Sequence, residues 1–387
     1  MDPGTSAADL GVYVHVPFCE HVCPYCDFAV VPVGRLGAPD EDAWAAGVLA
    51  EWERWRGPLA GRRVASVYFG GGTPSLVGAK SLERVLAALA AGLRFESPEI
   101  TVELNPGQLE LARVPELRAL GVTRLSVGLQ STDDTVLRRL GRAHRADEAL
   151  RGLDACLVAG FTSLSVDLIY GAPGQTSELV LRDVERVVER GAPHVSAYAL
   201  TLEPETPFAR AARAGQLELP DEDAVLEMSL GLRARLAAAG LEQYEISSYA
   251  RRGHRSRHNQ RYWTRAEVLG LGPSAASFVD GRRLRNARGF ADWRAALARG
   301  ELPAVEDEPV SEDEARREHL YLGLRRLAGV SRADFQRRFG AGPEAFFADE
   351  LAELRRRDLI LDQAGRIRLS ERGILFADEV FMGLLGR

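Results

Sequence analysis

The feature that most constrains the fold of this chain is a rhythm. Short apolar or β-branched runs at Val12–Val16, Val64–Phe69, Ile100–Leu104, Arg124–Leu129, Leu164–Ile169 and Val195–Leu200 read as strands. Between them lie Glu41–Arg56, Ala79–Gly92, Leu109–Leu120, Asp147–Ala159, Ser177–Glu189 and Asp221–Ala239, whose apolar residues recur at helical spacing. Alternation of this kind predicts an α/β fold with a parallel sheet and crossover helices. The unusual residues fall at or near the C-terminal ends of the strands: a cysteine loop, Gly70-Gly71-Gly72-Thr73, Glu103 with Asn105, Gln130-Ser131, Asp167, and Tyr198. Contributions from all six strands to one end favour a curved, partial (β/α)6 TIM-like barrel, because a doubly wound sheet gathers its ligand only near a switch point.

The loop after the first strand holds Cys19, Cys23 and Cys26 at C-x3-C-x2-C spacing. Three thiolates this close can converge on one inorganic centre. The remaining cysteine, Cys156, lies far along in a helical stretch and reads as a small buried hydrophobe. Three ligands without a local fourth suggest a [4Fe–4S] cluster with one iron open to an outside ligand. The competing reading is a zinc site completed by His15 or His21, although structural zinc usually takes paired C-x2-C units. His144 and His194 receive no role.

At 387 residues, 46% apolar and 27% charged, the chain has the composition of a globular protein larger than one average domain. A net charge of −6 argues against a broad nucleic-acid surface. No run of about 18 apolar residues is present, and Met-Asp-Pro-Gly-Thr lacks the parts of a signal peptide, so a cytoplasmic protein is expected. Past Ala239 the rhythm breaks, which divides the chain into 1–240, a segment 241–305, and 306–387. The middle segment holds a basic stretch, Arg251 to Trp263, a loop, Leu269 to Ser274, and the start of an acidic link, Glu301–Glu308. The last part predicts helices over Glu312–Leu327, Arg332–Phe339 and Pro343–Arg357 and a hairpin over Leu359–Leu369, a winged-helix pattern. Its Arg355-Arg356-Arg357 run reads as a solvated helix end rather than a DNA contact.

These residues resemble the radical S-adenosylmethionine (SAM) superfamily, and within it the group of the oxygen-independent coproporphyrinogen III dehydrogenases and the HemW haem chaperones, from Tyr13 to the C-terminal module. The resemblance implies that Cys19, Cys23 and Cys26 hold a [4Fe–4S] cluster whose open iron is chelated by SAM, with Tyr25 beside cluster and adenine. It implies SAM contacts from Tyr13, Gly71, Gly72, Thr73, Glu103, Gln130, Arg142 and Asp167. Their chemistry suits that ligand: glycines allow close backbone approach, carboxylates and amides suit the ribose and ammonium, and a guanidinium suits the carboxylate.

Two departures separate the chain from the dehydrogenases. Phe28 stands where their motif continues with another cysteine, and only twelve residues precede Tyr13. The stretch His258-Asn259-Gln260-Arg261-Tyr262-Trp263 is similar to the H-N-x-x-Y-W signature of the HemW proteins, which implies haem contacts from His258, Asn259, Tyr262 and Trp263 and makes His258 the expected iron ligand. The expected function is thus a haem chaperone that carries the cluster, SAM and haem and passes haem to a respiratory acceptor. The alternatives are an oxygen-independent coproporphyrinogen III dehydrogenase working through a 5′-deoxyadenosyl radical, and a structural or DNA-interacting protein. The first reading also implies at most transient docking at a membrane, and dimerisation.

Overall fold

A computed structural model gives the fold and describes residues 9–34, 37–107 and 111–385. All six expected strands form: β1 Leu10–Val16, β2 Val64–Gly71, β3 Glu99–Leu104, β4 Arg124–Gln130, β5 Ser163–Tyr170 and β6 His194–Ala199. They pair parallel in that order. Val12, Val14, Val67, Phe69, Val102, Leu125, Val127, Val166 and Val195 are fully buried, as parallel strands covered by helices require. The helices Glu41–Arg56, Ala79–Gly92 and Ser177–Glu189 have the bounds that periodicity predicts. Side-chain caps from Asp40, Thr176 and Asp221 start three of the crossover helices by accepting from otherwise orphaned backbone N–H groups. The expectation of a helix from Leu109 falls partly outside the described residues, and Val114–Ala119 is helical.

Past Ala239 the structure corrects the reading of a broken rhythm. Strands β7 Glu242–Glu245, β8 Ser248–Ala250, β9 Val268–Leu271, β10 Ala276–Val279, β11 Arg282–Asn286 and β12 Ala304–Pro309 join the same sheet. Its order is β12-β11-β10-β9-β1-β2-β3-β4-β5-β6-β8-β7. The sheet stays open, since among the described residues no ladder joins β7 to β12. Strand β9 falls where a loop is expected from Leu269, and it runs parallel to β1. The reason lies in Gly270, where a Cβ would stand 2.3 Å from the Ala276 carbonyl oxygen of the neighbouring strand. The glycine serves backbone approach, not a turn. The acidic link is largely the edge strand β12, whose Asp307 and Glu306 pair with Arg282 and Arg285 across the ladder. Charges on an exposed edge also discourage pairing with another chain.

The C-terminal module has the expected helices, seen as Glu312–Leu324, Arg332–Phe339 and Ala348–Arg356. Its small sheet consists of β13 Val330–Ser331, β14 Ile360–Gln363 and β15 Arg366–Leu369. Leu320, Phe335, Phe347, Leu351, Ile367 and Val380 form a separate apolar core. The arginine run is neutralised: Arg355 pairs with Glu344 and Asp362, Arg356 with Glu353, and Arg357 with Glu379. Among the described residues no helix is long and apolar enough to cross a membrane.

Candidate functional site

The cysteine loop is pinned at both ends, because Phe18–Cys19 pairs parallel with Val31–Pro32. Within it, the Cys26 N–H donates to the Cys23 carbonyl at 3.1 Å, a tight turn between two of the thiols. A polar arc connects the thiols from outside the loop. The Cys19 Sγ lies 3.6 Å from the Thr73 hydroxyl, Asn105 Nδ2 donates to that hydroxyl at 3.1 Å, and Arg142 donates to Asn105 Oδ1. Arg142 also donates to the Gly128 carbonyl at 3.0 Å and reaches the Cys23 Sγ at 3.7 Å. Burial pushes the Cys19 thiol up to about 11. Burial pushes Cys23 up as well, but hydrogen bonding from His21 and the charge of Arg142 outweigh it, so its net shift is downward.

The glycine loop does more than turn. Gly71 has φ 110°, in the region that favours glycine, and a Cβ there would lie 2.3 Å from the His15 ring. A Cβ on Gly72 would meet the Phe18 carbonyl oxygen at 2.6 Å. These two residues let the end of β2 pass directly beside the cysteine strand, where the Thr73 N–H donates to Phe18 O at 2.7 Å.

On β3, Glu103 accepts from the Tyr68 hydroxyl at 2.7 Å and from the Gly71 N–H at 3.0 Å. Burial raises its carboxyl to about 7, with Asp167 adding to the shift and those two hydrogen bonds opposing it. Asp167 on β5 accepts from Ser126 at 2.9 Å and Ser165 at 3.2 Å, and burial raises it too. Gln130 ends β4 at φ 66°, an uncommon conformation for a residue with a side chain and one that recurs at functional sites.

All of these side chains line one cavity of about 520 Å³: the three cysteines, Tyr25, Gly71, Gly72, Thr73, Glu103, Gln130, Arg142 and Asp167. A flat sheet could not do this, since β2 to β6 would spread their ends over about 20 Å at ~4.8 Å per strand. The sheet is curved around the cavity. Tyr13 is the exception to the expected SAM set. Its hydroxyl lies 3.1 Å from His15 Nδ1 and its ring stacks on Tyr68 below the cavity. Alternation along β1 puts Tyr13 and His15 on one face, and neither lines the cavity. His144, for which the sequence offers no role, lines the cavity beside Arg142, and burial pulls it down to about 4.

His15 is not available to complete a zinc site. His15 has both ring nitrogens engaged, one by Tyr13 and the other 2.8 Å from the Ala29 carbonyl. Among the described residues no three His, Cys, Asp or Glu side chains converge to hold a single ion. The thiols instead open onto a cavity large enough for a cluster with its outside ligand. The buried Arg142 Nε has no hydrogen-bond partner there, which leaves a donor for an anionic ligand.

The H-N-x-x-Y-W stretch forms a short helix, Arg257–Trp263, capped by Ser256, instead of a basic loop. It packs at the opposite end of the strands, where Glu99 at the start of β3 accepts from the His258 N–H at 3.1 Å. His258 is 1% exposed. Its Nδ1 lies 2.9 Å from Ser66 Oγ and its Nε2 3.1 Å from the Tyr262 hydroxyl, while its ring stacks on Tyr68 with centroids 5.0 Å apart. Burial pulls its pKa down to about 3. Thus Tyr262, His258, Tyr68, Glu103 and Gly71 form a continuous line from the helix to the cysteine-lined cavity. Tyr262 and Trp263 face a second cavity, between the sheet and the C-terminal module, whose lining includes neither His258 nor Asn259.

Residues 13–187 match the family described as the Radical SAM superfamily, and residues 310–376 match the HemN C-terminal domain. The chain is 34% identical over 370 residues to "Heme chaperone HemW" of Lactococcus lactis, covering 95% of each chain. It is 36% identical over 378 residues to "Heme chaperone HemW" of Mycobacterium tuberculosis, covering 97% of this chain and 95% of that one. Among solved structures, coproporphyrinogen III oxidase (HemN) from Escherichia coli, a radical SAM enzyme, aligns with a TM-score of 0.85 at 23% identity, over 98% of this chain and 90% of that chain. At that identity the likeness establishes the fold, an open radical SAM α/β sheet.

Proposed function

Because the chain belongs to the HemW haem chaperone family of radical SAM proteins, we propose that it carries haem to an acceptor protein, with its cluster and SAM cavity governing the transfer. It binds a [4Fe–4S] cluster, SAM and haem. The observation that carries the reading is the joining of two chemistries in one chain: a thiol-lined cavity at the strand ends and an aromatic cavity beside the motif helix.

We assign the cluster to Cys19, Cys23 and Cys26, and SAM to Tyr25, Gly71, Gly72, Thr73, Glu103, Gln130, Arg142 and Asp167. When bound, a reduced cluster supplies an electron to SAM. The chain's own residues orient and enclose. The Arg142 guanidinium, fixed by Asn105 and Gly128, presents its free Nε–H toward a carboxylate. Glu103, held by Tyr68 and the Gly71 N–H, offers a carboxylate to an ammonium or a ribose hydroxyl once ionised. Thr73 and Arg142 donate toward the sulfurs, interactions that tune a cluster's potential. The line from Tyr262 to Gly71 gives the haem end a physical connection to the SAM end. The acceptor in this reading is a respiratory enzyme, approached by transient membrane docking, and the working unit is a homodimer.

The test is anaerobic reconstitution followed by optical titration with haem, with and without SAM. Stoichiometric haem binding, with SAM altering transfer to an apo-acceptor, is expected. Decarboxylation of coproporphyrinogen III with matching SAM cleavage would overturn the assignment.

A further inference from the structure

We propose that Asp183, on the helix Ser177–Glu189 outside the cysteine-lined cavity, is the positioning residue that aims Gln130 into it. The inference rests on the assignment of Gln130 to SAM. It starts from an irregularity at the end of β4. The Ser131 N–H donates to the Leu129 carbonyl at 2.9 Å, closing a three-residue turn centred on Gln130 at φ 66°. A turn of this size with a positive φ at its centre is the rare, strained form, and glutamine lacks glycine's tolerance for it. The pairing of β4 with β5 also shifts register between Val127 and Gln130. Shifts of this kind re-aim a side chain, and the strained residue persists only where its surroundings over-determine it.

Asp183 supplies that constraint. Its Oδ2 accepts from the Ser131 hydroxyl at 2.8 Å, and its Oδ1 accepts from the Thr132 N–H and the Thr132 hydroxyl, both at 2.6 Å. Arg186, three residues on, donates to the Thr132 carbonyl at 2.7 Å, so one helix clamps both backbone groups of Thr132. The Ser131 hydroxyl in turn accepts from the Asp133 N–H at 3.1 Å. Asp183, Ser131 and Thr132 are 2%, 0% and 2% exposed. Burial raises the cost of losing these bonds, since the freed donors have no solvent to turn to.

The turn decides where the Gln130 amide goes. A Cβ on Gly128 would stand 3.0 Å from Asn105 Oδ1 and 3.1 Å from Gln130 Nε2, and Arg142 donates to the Gly128 carbonyl. The amide therefore lies beside the guanidinium assigned to the ligand's carboxylate, on the wall of the same cavity. Asp183 is not part of that wall. It reaches a ligand only through the turn.

The test is a double-mutant cycle read by calorimetric titration of full-length, cluster-loaded protein with SAM. Gln130→Ala and Asp183→Ala should each weaken binding about tenfold, the worth of one hydrogen bond to a ligand. The double variant should also be about tenfold weaker, because the second change has nothing left to act through. Asp183→Asn, which keeps an acceptor for Thr132, should return affinity to within about threefold of wild type. Without SAM, the Ser131 amide should exchange its hydrogen about tenfold faster in Asp183→Ala than in wild type, because the turn bond opens. Additive losses, about a hundredfold in the double variant, would assign Asp183 to general stability and overturn the inference. So would wild-type affinity in Asp183→Ala. Should Asp183→Ala not fold, Ser131→Ala, which cuts one of the three bonds, carries the same cycle with an expected loss of about threefold that vanishes in Gln130→Ala. If wild type binds no SAM, the assignment of the cavity falls and takes the inference with it, an outcome distinct from additivity in a protein that binds SAM.

Discussion

The two cavities are built on opposite plans. The first lies at the carboxyl ends of β2 to β6 and the loop after β1, and every wall comes from one half of the chain. The second lies between the motif helix, the strands β9 and β10, and the helix Glu312–Leu324, so it exists only while the C-terminal module is docked. The first is polar and positions donors and acceptors on rigid strand ends. The second is aromatic and rimmed by ion pairs. A reactive ligand calls for fixed geometry, whereas a cargo that must leave calls for a wall that can open. The architecture separates these demands.

The sharpest way to break that comparison is Cys23→Ser. The iron–sulfur chromophore should disappear entirely, while ferric haem affinity stays within about twofold, because Cys23 and its partner Arg142 lie outside the lining of the second cavity. Loss of haem binding along with the cluster would show that the two cavities are one cooperative unit. The next largest effect belongs to the hinge between them. Glu318 bridges Arg265 and Arg283, and the Arg265 and Glu318 side chains are 8% and 12% exposed. Glu318→Ala should cost about 3 kcal/mol by leaving a mostly buried guanidinium unpaired. A lower melting temperature and weaker haem binding with unchanged SAM binding would follow; a melt like that of wild type would remove Glu318 from the docking contact.

The smallest effect is a pH dependence confined to the first cavity. Glu103 is raised from its ordinary value of 4.5 to about 7, chiefly by burial. Its contribution to stability is therefore full below pH 4.5 and is lost as pH rises through about 7. Binding of a cationic ligand runs the other way, since only the ionised carboxylate accepts from an ammonium. SAM affinity should rise roughly tenfold between pH 6 and pH 8, the change in ionised fraction about a pKa of 7. Calorimetric titration of wild type and Glu103→Gln checks it, and a variant with the same slope would exclude Glu103 as the source.

The first cavity was largely legible in the sequence because its residues sit at strand ends, and strand ends can be read from local periodicity. Glu103 and Gln130 lie at the ends of their strands, and Asp167 lies in the last half of its own. Depth was not legible: Tyr13 reads as a cavity residue, yet neither it nor His15 on the same face lines the cavity. The second cavity was hidden for a different reason. Leu269 to Ser274 reads as a loop because Gly270 looks like a turn residue, yet its missing Cβ serves contact with Ala276. His258 sits among arginines in sequence and is buried in the structure, because Ser66, Tyr68 and Glu99, more than 150 residues earlier, form its surroundings. No local window contains that information.

The position of β9 beside β1 also sets a timetable. The strand that leads into the cysteines is flanked on one side by β2, and on the other by residues that follow about 250 positions later. At ~5–20 residues per second of synthesis, the wait is roughly 12 to 50 seconds. During that interval three neighbouring thiols have left the ribosome without their finished cradle, open to oxidation. The final seating of the cysteine loop therefore waits on a strand made after most of the chain.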